Sequence, residues 1–146
     1  MNHQHYPFLS STRDTIYVFV SPGKHGYIKK IVQFKALHDE IFNLGFGDLD
    51  GNSFDFNDSI VTNNGDMETV LATVVTIIER FFDNRPNAQI FITGSTPART
   101  RLYQIVIGTN YDHLIERYEI FGYGNSVWEV FRKNVSYESF LVQKML

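Results

Sequence analysis

The 146-residue sequence predicts an α+β fold, read as a single domain over residues 1–146. Three observations carry this. Residues 16–46 hold strand-like segments that alternate apolar and polar positions, residues 66–82 repeat apolar side chains at helical spacing, and strand-like segments return after residue 118. The implied order is three or four strands, a helix, a strand, a helix or helix pair, then two or three strands. Such an order gives a largely antiparallel sheet with two main helices and one β-α-β crossover. A chain of this length buries about 68–70% of its unfolded surface, enough for a real core.

Each element has a local cause. Ile16-Tyr17-Val18-Phe19-Val20 is β-branched and aromatic, and Ser21-Pro22-Gly23-Lys24-His25-Gly26 is turn chemistry. From Tyr27 to Leu37, Ile28, Lys30, Val32, Phe34 and Ala36 share one face, and Lys29, Ile31, Gln33 and Lys35 share the other. Glu40 to Phe46 reads as a strand with Phe42, Leu44 and Phe46 on one side, and Asp50-Gly51-Asn52 as a turn. Met67, Val70, Leu71, Val74, Val75, Ile78, Phe81 and Phe82 form the stripe of the strongest helix, which Asn64 or Asp66 is placed to cap and Asp83-Asn84-Arg85-Pro86 to stop. Ala88 to Thr93 lacks a polar face and reads as a central strand. Thr96 before Pro97 is a helix start, with a hydroxyl at the N-cap and proline at the first helical position. That helix is expected to run to about Ile107, burying Ala98, Leu102, Ile105 and Val106, with Gly108 ending it and Asn110 capping a short helix through Tyr118. Strands follow at Tyr118–Tyr123, Val127–Phe131 and Tyr137–Lys144, the first two joined by a Gly124-Asn125 turn. Residues 1–10 read as a flexible tail.

Composition excludes several functions. There are no cysteines, which removes thiol nucleophiles, Cys-based zinc sites and thiol redox chemistry. A net charge of −3 opposes general adhesion to nucleic acid or anionic membrane. No apolar run is long enough to span a bilayer, and the N-terminus lacks a basic head followed by an apolar stretch; the expectation is a cytoplasmic protein that does not engage membranes. The five histidines show no H-x-x-x-H or H-E-x-x-H spacing, so no metal site is expected.

The order of strands, a glycine-initiated helix, a short apolar strand and a helix containing A-x-x-x-L-Y resembles the GNAT acyltransferase fold over roughly residues 60–123. Asn64-Gly65-Asp66-Met67 stands where that family has its pyrophosphate loop, and Ser95 to Tyr103 stands at its later helix. The resemblance implies acetyl-coenzyme A as the cofactor of an N-acyltransferase. Only Gly65 of the loop glycines is present, however, and Asp66 and Glu68 place negative charge where pyrophosphate would sit. The sequence is also similar to an uncharacterised family of small bacterial proteins carrying F-G-D, N-N-G-D and G-S-T-x-A-R-T-R-L-Y. Here these are Phe46-Gly47-Asp48, Asn63 to Asp66 and Gly94 to Tyr103. That resemblance implies no activity.

The G-S-T-P-A-R-T-R-L-Y segment is the main candidate site. Hydroxyls of Ser95 and Thr96, backbone N–H groups at a helix start, and the guanidinium groups of Arg99 and Arg101 together suit an anion. Tyr103, Asn64 and Gly65 complete the candidate ligand-binding set, and no catalytic residue is assigned. The two arginines lie two apart and diverge on a helix. One is expected to be structural, holding Asp48 or Asp66, and Arg99 is expected to be the ligand contact. The acidic run Asp48 to Asp58 does not fit the EF-hand template, because Gly51 falls at position 4. Lys24, His25, Lys29, Lys30 and Lys35, interleaved with Tyr27 and Phe34, make the first hairpin locally basic. They suit either the protection of an edge strand or stacking on RNA.

The sequence thus points to a small bacterial binding or regulatory domain with a degenerate acyltransferase-like core and no cofactor, whose partner is another protein or a small anionic ligand. Two alternatives stand beside it: an acyl-coenzyme A-dependent N-acyltransferase, and a nucleic-acid-directed toxin or defence component.

Overall fold

The computed structural model describes residues 4–49, 56–57 and 64–145; the expected turn at residues 50–52 lies outside them. The chain is α+β, with a mostly antiparallel sheet and three helices among the described residues. It divides into two compact units, Met1–Phe34 with Gly45–Asn84, and Lys35–Leu44 with Arg85–Leu146.

In the first unit the strands are β1 (Phe8–Ser10), β2 (Ile16–Gly23), β3 (Gly26–His38), β4 (Ile41–Leu49) and β5 (Phe56–Asn57), followed by α1 (Met67–Asn84). β3 and β4 also contribute residues to the second unit. The order is β1-β2-β3-β4, with β5 paired to β4. The alternation read from the sequence sets the faces. Tyr17 and Phe19 of β2, Val32 and Phe34 of β3, and Phe46 of β4 are buried, and the Phe34 ring stacks on Phe81 of α1 with centroids 4.0 Å apart. Val70, Val74, Ile78 and Phe81 of α1 are buried as their spacing requires. β3 lies between β2 and β4, so its lysines do not protect an edge. Lys30 falls on the buried face and is fully enclosed, its Nζ 2.7 Å from Asp48 Oδ1.

Residues 6–10, expected in a flexible tail, are held. β1 pairs antiparallel with β2, and the Tyr6 N–H donates to Thr73 Oγ1 on α1. The Tyr6 hydroxyl donates to Asp66 Oδ2 at 2.5 Å, and Ser21 Oγ donates to the same oxygen at 2.6 Å. Asn64 clamps the two-residue Lys24-His25 turn between β2 and β3. Its Oδ1 accepts from the His25 N–H, its Nδ2 donates to the carbonyls of Ser21 and Gly26, and its own carbonyl accepts from the Lys24 N–H. Gly23 has no room for a Cβ beside the Asn64 carbonyl. Asn64 and Asp66 therefore serve the hairpin and the N-terminal segment, whereas the sequence had suggested a helix cap.

In the second unit β6 (Gln89–Thr93) leads to α2 (Pro97–Thr109) and α3 (Tyr111–Leu114), then β7 (Tyr118–Gly124), β8 (Val127–Val130) and β9 (Ser139–Lys144). The order is β4-β6-β9-β7-β8. β6 runs parallel to β4, with α1 between them in sequence, and antiparallel to β9, which makes it central as its apolar sequence requires. Asn125 and Ser126 both adopt positive φ (52° and 65°), the geometry of the two-residue turn that matches strand twist, and they close β7 onto β8.

Two outcomes follow for the first unit. Lys30→Met leaves Asp48 buried beside an apolar side chain and should cost about 3 kcal/mol in chemical denaturation; adding Asp48→Leu should recover most of that loss. Burial, then the bond to Asp66 and its charge, push the Tyr6 hydroxyl up to about 12. A folded-state pKa above the ordinary 10 means that its contribution is full below pH 10 and is lost as pH rises toward 12. Ultraviolet titration of the phenolates should show one fewer high-titrating group in Tyr6→Phe than in the parent, with alkaline unfolding moved to lower pH in that variant.

Candidate functional site

β6 delivers the chain to the start of α2 through Gly94-Ser95-Thr96. Thr96 is the N-cap, with extended φ and ψ of −138° and 162°, and its hydroxyl accepts from the Arg99 N–H at 3.2 Å. Pro97 occupies the first turn, where a missing N–H costs nothing. Gly94 packs directly against the backbone N–H of Thr100, so any larger residue there displaces the first turn of the helix.

Beside this turn lies a cleft of about 800 Å³. Ser95, Thr96 and Arg101 line one side, and Thr93, Tyr123 and Ser139 come from the strands. The Ser139 hydroxyl donates to the Thr93 hydroxyl at 3.1 Å. Arg101 is exposed and has no ion pair or hydrogen bond among the described residues. Glu138 is the one acidic residue of the lining among the described residues.

Segment 135–137, which leads into β9, is pinned to α2 by one amide. Gln104 Nε2 donates to the Val135 carbonyl at 2.7 Å, and Gln104 Oε1 accepts from the Tyr137 N–H at 3.1 Å. The Tyr137 hydroxyl donates to Glu129 Oε2 at 2.6 Å and accepts from the Arg132 N–H. Arg132 Nε reaches the same carboxylate oxygen at 2.9 Å. The bond from Tyr137, and next that from Arg132, hold the Glu129 carboxyl below the usual carboxylate range. Burial, with the bond to Glu129, raises the Tyr137 phenol above its ordinary value. The Tyr137 ring covers Gly122, where a Cβ would meet ring carbons at 2.5 Å.

Of the seven residues singled out from the sequence, three line this cleft: Ser95, Thr96 and Arg101. Arg99 is buried and turned back along the helix, its Nη2 3.1 Å from the Tyr103 hydroxyl and its guanidinium carbon 5.4 Å from that ring's centroid. Arg101, and not Arg99, lines the cleft. Of the carboxylates expected to hold an arginine, Asp48 pairs with Lys30 and Asp66 receives Tyr6 and Ser21. Asn64 and Gly65 belong to the other unit, where Asn64 is fully engaged by the hairpin.

The buried face of α2 is Arg99, Tyr103, Val106 and Ile107, rotated from the expected Ala98, Leu102, Ile105 and Val106. A count of apolar residues misses a face whose first two members are an arginine and a tyrosine one turn apart. Gly108 does not end α2, which continues to Thr109. Asn110 stands at the N-cap of α3 as expected, but without a side-chain capping bond: its amide donates instead to the Val106 carbonyl of α2. Gln104, Tyr137 and Glu129 went unnoticed as supports of the cleft. Gln104 and Tyr137 lie 33 positions apart, and no spacing signal joins them.

The chain belongs to a family of unknown function, DUF6934, whose profile matches residues 2–145. No curated protein and no solved structure matches it. Among the described residues no helix is long and apolar enough to cross a membrane, and no three His, Asp or Glu side chains gather as a metal-binding group.

The two arginines should respond differently to truncation. Arg99→Ala removes a buried guanidinium and its contact with Tyr103, and should cost about 2–3 kcal/mol in urea unfolding. Arg101→Ala should stay within about 0.5 kcal/mol of the parent, because that side chain is exposed. A large loss in the second variant would show that Arg101 is structural.

Proposed function

We propose that this domain acts by binding, and that its ligand is a small anion seated in the cleft at the start of α2. The observation that carries this reading is Arg101: an exposed guanidinium, without a partner among the described residues, beside a cleft of about 800 Å³ that also holds Ser95 and Thr96. Guanidinium and hydroxyl groups match carboxylate or phosphate oxygens, and a helix start favours negative charge. Glu138 in the same lining confines the anion to the α2 side. An acidic segment of a partner protein offers the same chemistry.

The acyltransferase alternative draws support from element order: β4 and β6 are parallel with α1 between them in sequence, and α2 follows β6. Its cofactor finds less support. Asp66 and Glu68 keep negative charge at the start of α1, and the Asn64 amide is committed to the β2–β3 hairpin. The nucleic-acid alternative loses Lys30 to a buried ion pair, leaving Lys24, Lys29 and Lys35 exposed on β3 and its turn.

Calorimetry with inorganic pyrophosphate and with succinate should show saturable binding of at least one of them to the parent chain and none to Arg101→Ala at unchanged melting temperature. Equal binding by the variant would remove the cleft from consideration. Low-micromolar affinity for acetyl-coenzyme A would promote the transferase, and salt-dependent retention of RNA would promote the nucleic-acid reading.

A further inference from the structure

The first unit carries a second concave surface, unrelated to the α2 cleft and on the face of its sheet opposite α1. Alternation along β2 turns Tyr17 and Phe19 into the core, so Ile16, Val18 and Val20 stand on the outer face. The registers place Leu9 of β1 and Ile31 of β3 on either side of Val18, and Lys29 of β3 opposite Val20. These residues line an apolar groove of about 580 Å³. Leu9 is 79% exposed and Val20 41% exposed at its rim. That volume lies in the range of small-molecule sites, roughly 300–1,000 Å³.

Polarity along the groove is one-sided. Among the described residues Lys29 is the only charged member of the lining; it is exposed and has no ion pair or hydrogen bond with any of them. It stands at the Val20 end. From there the floor runs through Val18 to Ile16, about 13 Å at strand rise, with apolar side chains throughout. One cation at the mouth of a narrow apolar trough complements a molecule with an anionic head and a single apolar tail. A second copy of this chain fits less well, because it would bring a second uncompensated ammonium into the same interface.

We propose that this groove binds a single-chain aliphatic carboxylate, its tail along Ile16, Val18 and Ile31 and its head on Lys29. The tail gains from leaving water, and the carboxylate gains a charge-assisted contact at the rim.

Calorimetry of the full chain with dodecanoate below its micelle concentration, at low ionic strength, tests this. The expected result is one saturable site. Lys29→Glu should weaken it roughly tenfold, Val20→Asp should abolish it, and dodecanol should bind the parent and Lys29→Glu alike. Both substitutions fall on exposed side chains, so circular dichroism should show each variant folded. Arg101→Ala should leave dodecanoate binding unchanged, which separates this site from the anion cleft. The proposal is overturned by any of three results: no saturable binding to the parent, equal affinity in the parent and both variants, or sedimentation showing a dimer that Val20→Asp dissociates.

Discussion

One carboxylate organises the first unit. Asp66 stands immediately before α1 and accepts hydroxyls from Tyr6 and Ser21 on a single oxygen. It therefore joins the N-terminal segment, strand β2 and the start of the longest helix. Two residues earlier, Asn64 holds the β2–β3 turn by both ends of its amide and by its carbonyl. Such groups are costly to bury alone, and these bonds offset that cost, although the second Asp66 oxygen, Oδ1, is buried without a hydrogen bond among the described residues. Their bonds reach across 38 to 60 positions of sequence, so they select which segments meet as well as how firmly they hold.

The second unit uses a different device for a similar end. Its strands are placed by register, but the cleft depends on side chains that act at a distance. Gln104 reads a carbonyl and an N–H two residues apart on the segment leading to β9, as a neighbouring strand would. Tyr137 then carries that segment onto Glu129 and Arg132. The start of α2 thus faces a wall whose position is set by one amide and one phenol.

Much of the fold was legible because periodicity is local. The alternation in β2 to β4, the stripe of α1, the Thr96-Pro97 helix start and the apolar β6 all follow from residues within a few positions of one another. Lys30 shows the rule at work: grouping it with nearby lysines suggested a basic patch, while its place in the alternation put it inside, and the structure follows the alternation. The same reasoning failed on α2, where Arg99 and Tyr103 bury long amphipathic side chains that a hydrophobicity count treats as surface. It failed again on Asn64 and Asp66. A side chain beside a helix start can cap that helix or hold a distant strand, and only the fold shows which strand is near. The candidate site was legible in type, as hydroxyls and arginine at a helix start. The choice between Arg99 and Arg101 was not, since it turns on helix rotation.

The contact between Gly122 and Tyr137 has a consequence for how this sequence can vary. The ring lies where any side chain at 122 would begin, so position 122 is not free while the tyrosine stands. A relative with a small residue at 137 gains room for alanine or serine at 122, and one that keeps the tyrosine must keep the glycine. Because the Tyr137 hydroxyl also donates to Glu129, the constraint spreads to three positions on β7, β8 and the lead into β9. Drift in this part of the family should therefore be ordered, with replacement of the tyrosine preceding any substitution of the glycine.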